Sequence, residues 1–181
     1  MALKLFRSTG YSTLLMPGEA RVAPHPARLV LWACLWLALA CNVGLWRFIT
    51  EGTEPRATLA SVLLIAGGSG VVLNLLGWRR TLKPALSLAL VLGALFATGL
   101  WSQHLPIEAL WQGPPRTWMP AWPSFLRWQA LVLLLALALV PVVFVWNAQV
   151  RRLSGPAQLQ ANFWGACLAA ALLVAGFALA R

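Results

Sequence analysis

Apolar residues run almost unbroken through five stretches of the chain, and polar residues gather between them. These stretches lie at roughly 29–49, 57–77, 84–101, 125–146 and 161–180. Each comes close to the ~20 residues that a helix needs to cross the ~30 Å hydrocarbon core of a bilayer. The pattern predicts an all-α, polytopic membrane protein: a bundle of five transmembrane helices over 29–181, preceded by a cytoplasmic basic tail over 1–28. Apart from short connections, one longer segment is left, 102–124. It is too short and too rich in proline to be a soluble domain of its own. One domain is therefore expected, and it lies in the bilayer.

Composition sharpens this reading. Of 181 residues, 60% are apolar and only 10% are charged, against about a quarter charged in ordinary soluble domains. Mean hydropathy is +0.75. The acids are four Glu (Glu19, Glu51, Glu54, Glu108), the imidazoles are His25 and His104, and Asp is absent. Two-metal hydrolases and acid–base enzymes need several carboxylates and imidazoles converging on one site. Four scattered Glu and two His do not build one. Cys34, Cys41 and Cys167 fall inside the apolar runs without metal-type spacing, and read as small buried hydrophobes.

The net charge of +10 does not point to nucleic acid, which needs basic residues clustered on a folded soluble surface. Here the charges sit between spans, where they set orientation. One side holds nine: Lys4, Arg7, Arg21, Arg28, Arg79, Arg80, Lys83, Arg151 and Arg152. The other holds five, Arg47, Arg56, Arg116, Arg127 and Arg181, along with three of the four Glu. Cytoplasmic loops carry the Lys/Arg excess, so the N-terminus is expected in the cytoplasm and Arg181 in the periplasm of an inner-membrane protein. Trp46, Trp78, Trp101, Trp128, Trp146 and Trp164 lie near the predicted helix ends, where indole rings favour headgroups. Ala38-Leu39-Ala40-Cys41 has the small residues of a signal-cleavage site, but the long lead and apolar core before it predict a retained anchor.

The interiors of the spans carry no ionisable side chain of the kind that marks proton relays and ion pathways. Asn42, Asn74, Gln129 and Asn162 are the polar exceptions, expected to bond between helices. Gly67-Gly68-Ser69-Gly70 has the glycines of a phosphate loop without the Lys-Ser/Thr that would follow; a close-packing helix face is expected instead. In Leu82-Lys83-Pro84 the proline suits a first helical position, and Lys83 can snorkel toward lipid phosphates beside Arg79 and Arg80. Pro141, well inside the fourth span, should kink it and free a carbonyl one turn earlier. The outer segment, with Trp111, Trp118, Trp122 and five prolines, is expected to lie on the membrane surface. His104 and Glu108 there share a helical spacing but are too few to hold a metal.

The order of these features resembles a known family. A basic tail precedes a helix ending in Asn42-Val-Gly-Leu-Trp46; a second helix leads to the basic turn with Lys83-Pro84; then come a third helix, the outer loop, a fourth helix with Pro141, the Arg151-Arg152 turn and a fifth helix. Over about residues 25–180 this is similar to the N-terminal membrane domain of the lipid A phosphoethanolamine transferases, the group that includes the polymyxin and colistin resistance enzymes. In that family the fifth helix leads into a periplasmic zinc domain. There a threonine nucleophile transfers phosphoethanolamine from phosphatidylethanolamine to lipid A. The resemblance ends at Arg181, where that domain would begin. The family's Asn, Gln-Thr and Glu in the outer loop would fall on Gly113, Arg116-Thr117 and Ala121, so only Thr117 matches.

The resemblance thus implies an inner-membrane anchor and lipid-binding domain that is not catalytic alone. It would use Lys83, Arg79, Arg80, Asn42 and Thr117 toward lipid headgroups. No cofactor is expected in this chain, since zinc belongs to the family's catalytic domain. Its partners would be phosphatidylethanolamine, lipid A and a separate periplasmic catalytic domain, and not nucleic acid. The alternative is a membrane scaffold that recruits another membrane or periplasmic protein. A small transporter is the weakest reading, because the spans lack ionisable groups and internal repeats.

Overall fold

The computed structural model describes residues 24–52, 54–78, 80–102, 127–148, 150 and 153–181. Six helices and no strand occur among them: α1 (Pro26–Leu39), α2 (Val43–Glu51), α3 (Pro55–Leu76), α4 (Leu82–Ser102), α5 (Trp128–Asn147) and α6 (Gly155–Ala180). Local sequence explains several boundaries. Prolines open α1 and α3 and sit in the first turn of α6, where a missing amide costs nothing. His25 Nδ1 accepts from the amide of Ala27 at the head of α1. Gly52, in the left-handed region at φ 67°, ends α2, a backbone state other residues adopt only at a cost.

Four helices, α3 to α6, are each long and apolar enough to cross a bilayer, and α1 with α2 makes a fifth span only if the two count together. That is one correction to the sequence reading. The predicted helix 29–49 is broken at residues 40–42, and its halves meet at a 45° bend. The break escaped hydropathy because Ala40 and Cys41 are themselves apolar. A second correction is at α6, which begins at Gly155 and not at 161. Trp164, expected near a helix end, is therefore nine residues inside it. Pro84 is the third residue of α4 instead of the first. The outer loop from residue 103 onward lies outside the described residues.

The helices pack as a bent row in the order α6, α3, α1, α4, α5, with α4 touching α3 as well as α1. At the α3–α6 seam the backbones approach closely. A Cβ placed on Gly67 would lie 2.5 Å from the amide nitrogen of Leu173, and one on Gly70 2.7 Å from Cβ of Ala169. From the other side, Gly165 faces the Asn74 amide and Gly176 faces Leu64. The expected close-packing face is thus present, and α6 is its partner. Near the middle of the row, Leu29, Leu37, Leu86, Leu90 and Ala94 form a core between α1 and α4. Gly93 of α4 lies directly against Leu37.

Outward faces are as apolar as this core. Val132, Val140, Phe144, Phe163, Leu168 and Val174 are all more than half exposed. Such a continuous surface would drive aggregation in water. Lipid tails solvate it, and the molecule is a helical membrane-spanning protein.

Candidate functional site

The residues proposed from sequence to meet lipid headgroups divide between the two ends of the bundle. Lys83 follows α3 in the chain and lies at the end where α5 finishes. Asn42 lies at the opposite end, beside Ser61 near the start of α3. Arg80 is exposed in the turn before α4. Arg79 and Thr117 lie outside what is described of side chains, as do Arg151 and Arg152.

Lys83 is tied to α5 by chemistry that its position dictates. The last carbonyls of a helix have no intrahelical partner. Of these, Trp146 accepts a hydrogen bond from Lys83 Nζ at 3.0 Å. The ammonium also sits 6.0 Å from the centre of the Trp146 ring, within cation–π range. The indole N–H of Trp146 donates to Ser87 Oγ at 3.0 Å, and Ser87 Oγ donates to the carbonyl of Lys83 at 2.9 Å. This closed circuit joins the first turn of α4 to the last turn of α5. It places a positive charge where the α5 dipole is negative. One hydrogen bond occupies one of three ammonium donors.

Asn42 is fully buried and is the N-cap of α2. Its Oδ1 accepts from the amides of Gly44 at 2.9 Å and Leu45 at 3.3 Å, and its Nδ2 donates to Ser61 Oγ at 3.0 Å. In lipid depth every freed backbone group needs a partner, and an Asn before a helix supplies one. The side chain restarts the helix after the break and pins it to α3. The expected interhelical hydrogen bond is therefore seen at Asn42. Trp46 adds to the joint by donating its indole N–H back to the carbonyl of Ala40 at 3.1 Å.

Pro141 lies inside α5 and has no amide to offer the carbonyl of Leu137, four residues earlier. Trp36 of α1 donates its indole N–H to that carbonyl at 3.1 Å. The proline was legible in the sequence; its rescuer, 101 residues away, was not. Gln158 was missed for a different reason, since it fell in a predicted connection. It is buried and donates to the carbonyl of Gly77 and to Asn162 Oδ1, both at 3.0 Å. Asn162 Nδ2 donates to the same Gly77 carbonyl, so two α6 side chains satisfy the end of α3. Asn74 donates within its own helix to Gly70.

Among the described residues no three His, Cys, Asp or Glu side chains come together. Every buried side-chain nitrogen or oxygen there has a hydrogen-bond partner. The polar side chains of the described bundle thus bond within helices and between them. Comparison with known proteins finds no matching family model, no similar curated protein and no similar solved structure.

Proposed function

We propose that these residues form an inner-membrane anchor and lipid-binding domain related to the lipid A phosphoethanolamine transferases, not catalytic alone. In this reading the N-terminus is cytoplasmic and the end of α6 periplasmic. One observation carries it: the order along the chain of Asn42, the Lys83-Pro84 turn, Pro141 and the Arg151-Arg152 turn, each between or within successive apolar spans. The geometry is compatible with it. Lys83 to Trp146 and Gln158 to Gly77 are bonds between helix ends that should share the cytoplasmic side. Arg56 Nε to the carbonyl of Leu179, at 3.0 Å, is such a bond on the other side. Arg79, Arg80 and Lys83 would then face phosphates of the cytoplasmic leaflet, each basic residue near that surface contributing about 1 kcal/mol.

The scaffold reading is favoured by the engagement of Asn42 and Lys83 in interhelical bonds, which leaves the described bundle without a free constellation. Mass spectrometry of lipid A separates the two. In a strain lacking its own transferases, the 181 residues alone should add no phosphoethanolamine. Co-expression with a periplasmic catalytic domain should restore the addition, and Lys83→Ala should reduce it. Addition by the 181 residues alone would overturn the claim that they are not catalytic. No addition with the catalytic domain present would leave the scaffold.

A further inference from the structure

The break at residues 40–42 turns α2 out of line with α1, and α2 differs in kind from the other helices. At about 100° per residue, Trp46, Phe48 and Ile49 fall on one side of α2 and Arg47, Thr50 and Glu51 on the other. The apolar side faces outward: Trp46 is 50% exposed and Ile49 68%. The Arg47 side chain is half-buried, and among the described residues its guanidinium has no hydrogen-bond or ion-pair partner.

Depth follows from the neighbouring helix. Asn42 bonds to Ser61, six residues after Pro55, so α2 begins about 9 Å below the first residue of α3 at 1.5 Å per residue. The start of α3 is marked as the water boundary by Glu54 and Arg56, both exposed. From that depth α2 climbs to Glu51 and the Gly52 cap at the same boundary. Rising about 9 Å over a length of about 12 Å, α2 is the tilted end of the first span, bent 45° from α1, and it passes through the ~5–10 Å boundary between acyl chains and headgroups. A third observation is the lock: the Asn42 cap and the Trp46–Ala40 bond hold the bend from both sides.

We propose that α2, the tilted end of the first span, is seated in the headgroup boundary of the phospholipid layer, with acyl chains against Trp46, Phe48 and Ile49 and a lipid phosphate at Arg47. The seat needs no particular orientation of the bundle and no family membership. It gives the protein a charge-dependent grip on one leaflet at the level where α1, α3 and α4 meet.

The test uses single cysteines in nanodiscs of phosphatidylethanolamine and phosphatidylglycerol, which expose both faces to reagent. Cys34 and Cys41 are buried and Cys167 is exposed, so Cys167→Ser is the background. An impermeant maleimide should label Thr50→Cys at least about tenfold faster than Ile49→Cys, because only an ionised thiol in water reacts. Equal, rapid labelling would mean that α2 stands in water; equal, slow labelling would mean that both of its faces are sheltered from water. Either would overturn the seat. Adding Arg47→Gln should speed labelling of Ile49→Cys about fivefold, equivalent to the ~1 kcal/mol of one basic residue at a lipid surface. An unchanged rate would remove the phosphate contact.

Discussion

The two outer helices of the row differ in what holds them along their length. α6 meets α3 through glycine and alanine, so that the Cβ of a single added methyl at Gly67 would stand 2.5 Å from the backbone of Leu173. α5 meets α4 through Leu and Val side chains, and its connection to α1 is the Trp36 indole on the Leu137 carbonyl. In water the hydrophobic effect would hold both. In lipid it holds neither, because acyl chains are as apolar as leucine. What remains for α6 is close packing along the seam, with hydrogen bonds to α3 toward its two ends, and for α5 it is hydrogen bonding. A helix without glycines on its seam needs a polar tie, and Pro141 creates the acceptor for one.

Matched alanines break the first arrangement. Gly67→Ala should destabilise the bundle by about 1–3 kcal/mol, the usual cost of overpacking, measured by reversible unfolding in bicelles. Its neighbour Gly68 has only the Leu173 side chain, 3.8 Å from an added Cβ, so Gly68→Ala should stay within ~0.5 kcal/mol. Equal effects would mean that the α3–α6 seam is not formed as described.

A smaller effect is expected from the second arrangement. Trp36→Phe keeps an aromatic ring but leaves the Leu137 carbonyl without a donor, which should cost about 1 kcal/mol in the same assay. The informative control is the double variant with Pro141→Ala. Restoring an amide at 141 gives Leu137 its own helical partner, so the cost of Trp36→Phe should disappear in that background. Persistence of the full cost would show that Trp36 stabilises by packing alone.

The same contrast explains what could be read from sequence. Gly67 and Gly70 announce a packing face because they stand in a cluster, Gly67-Gly68-Ser69-Gly70, whereas the facing glycines are isolated. The facing residues, Gly165, Ala169 and Gly176, are too ordinary in an apolar run to stand out. Hydropathy located the spans to within a few residues except where polar side chains serve the fold: Gln158 and Gln160 moved the predicted start of α6 to 161, although Gln158 is buried against Gly77. The break in the first span had one local signal, an Asn followed by two amides it could cap. An apolar window averages that away. Trp36 carried no signal at all, because the need it meets arises at Pro141 and only folding brings the two together. The headgroup set was legible as a list of residue types, but sequence order could not show that Lys83 and Asn42 stand at opposite ends.

The central proposal is a bundle of five crossings in which the bent pair α1–α2 counts as one span, with the basic-rich ends in the cytoplasm. Paired reporter fusions after Arg181 test it most directly, using an alkaline phosphatase that is active only in the periplasm and a fluorescent protein that is bright only in the cytoplasm. The account predicts an active phosphatase and a dark fluorescent protein at Arg181, with the reverse for fusions placed after Arg80. A bright fluorescent protein and an inactive phosphatase at Arg181 would contradict it.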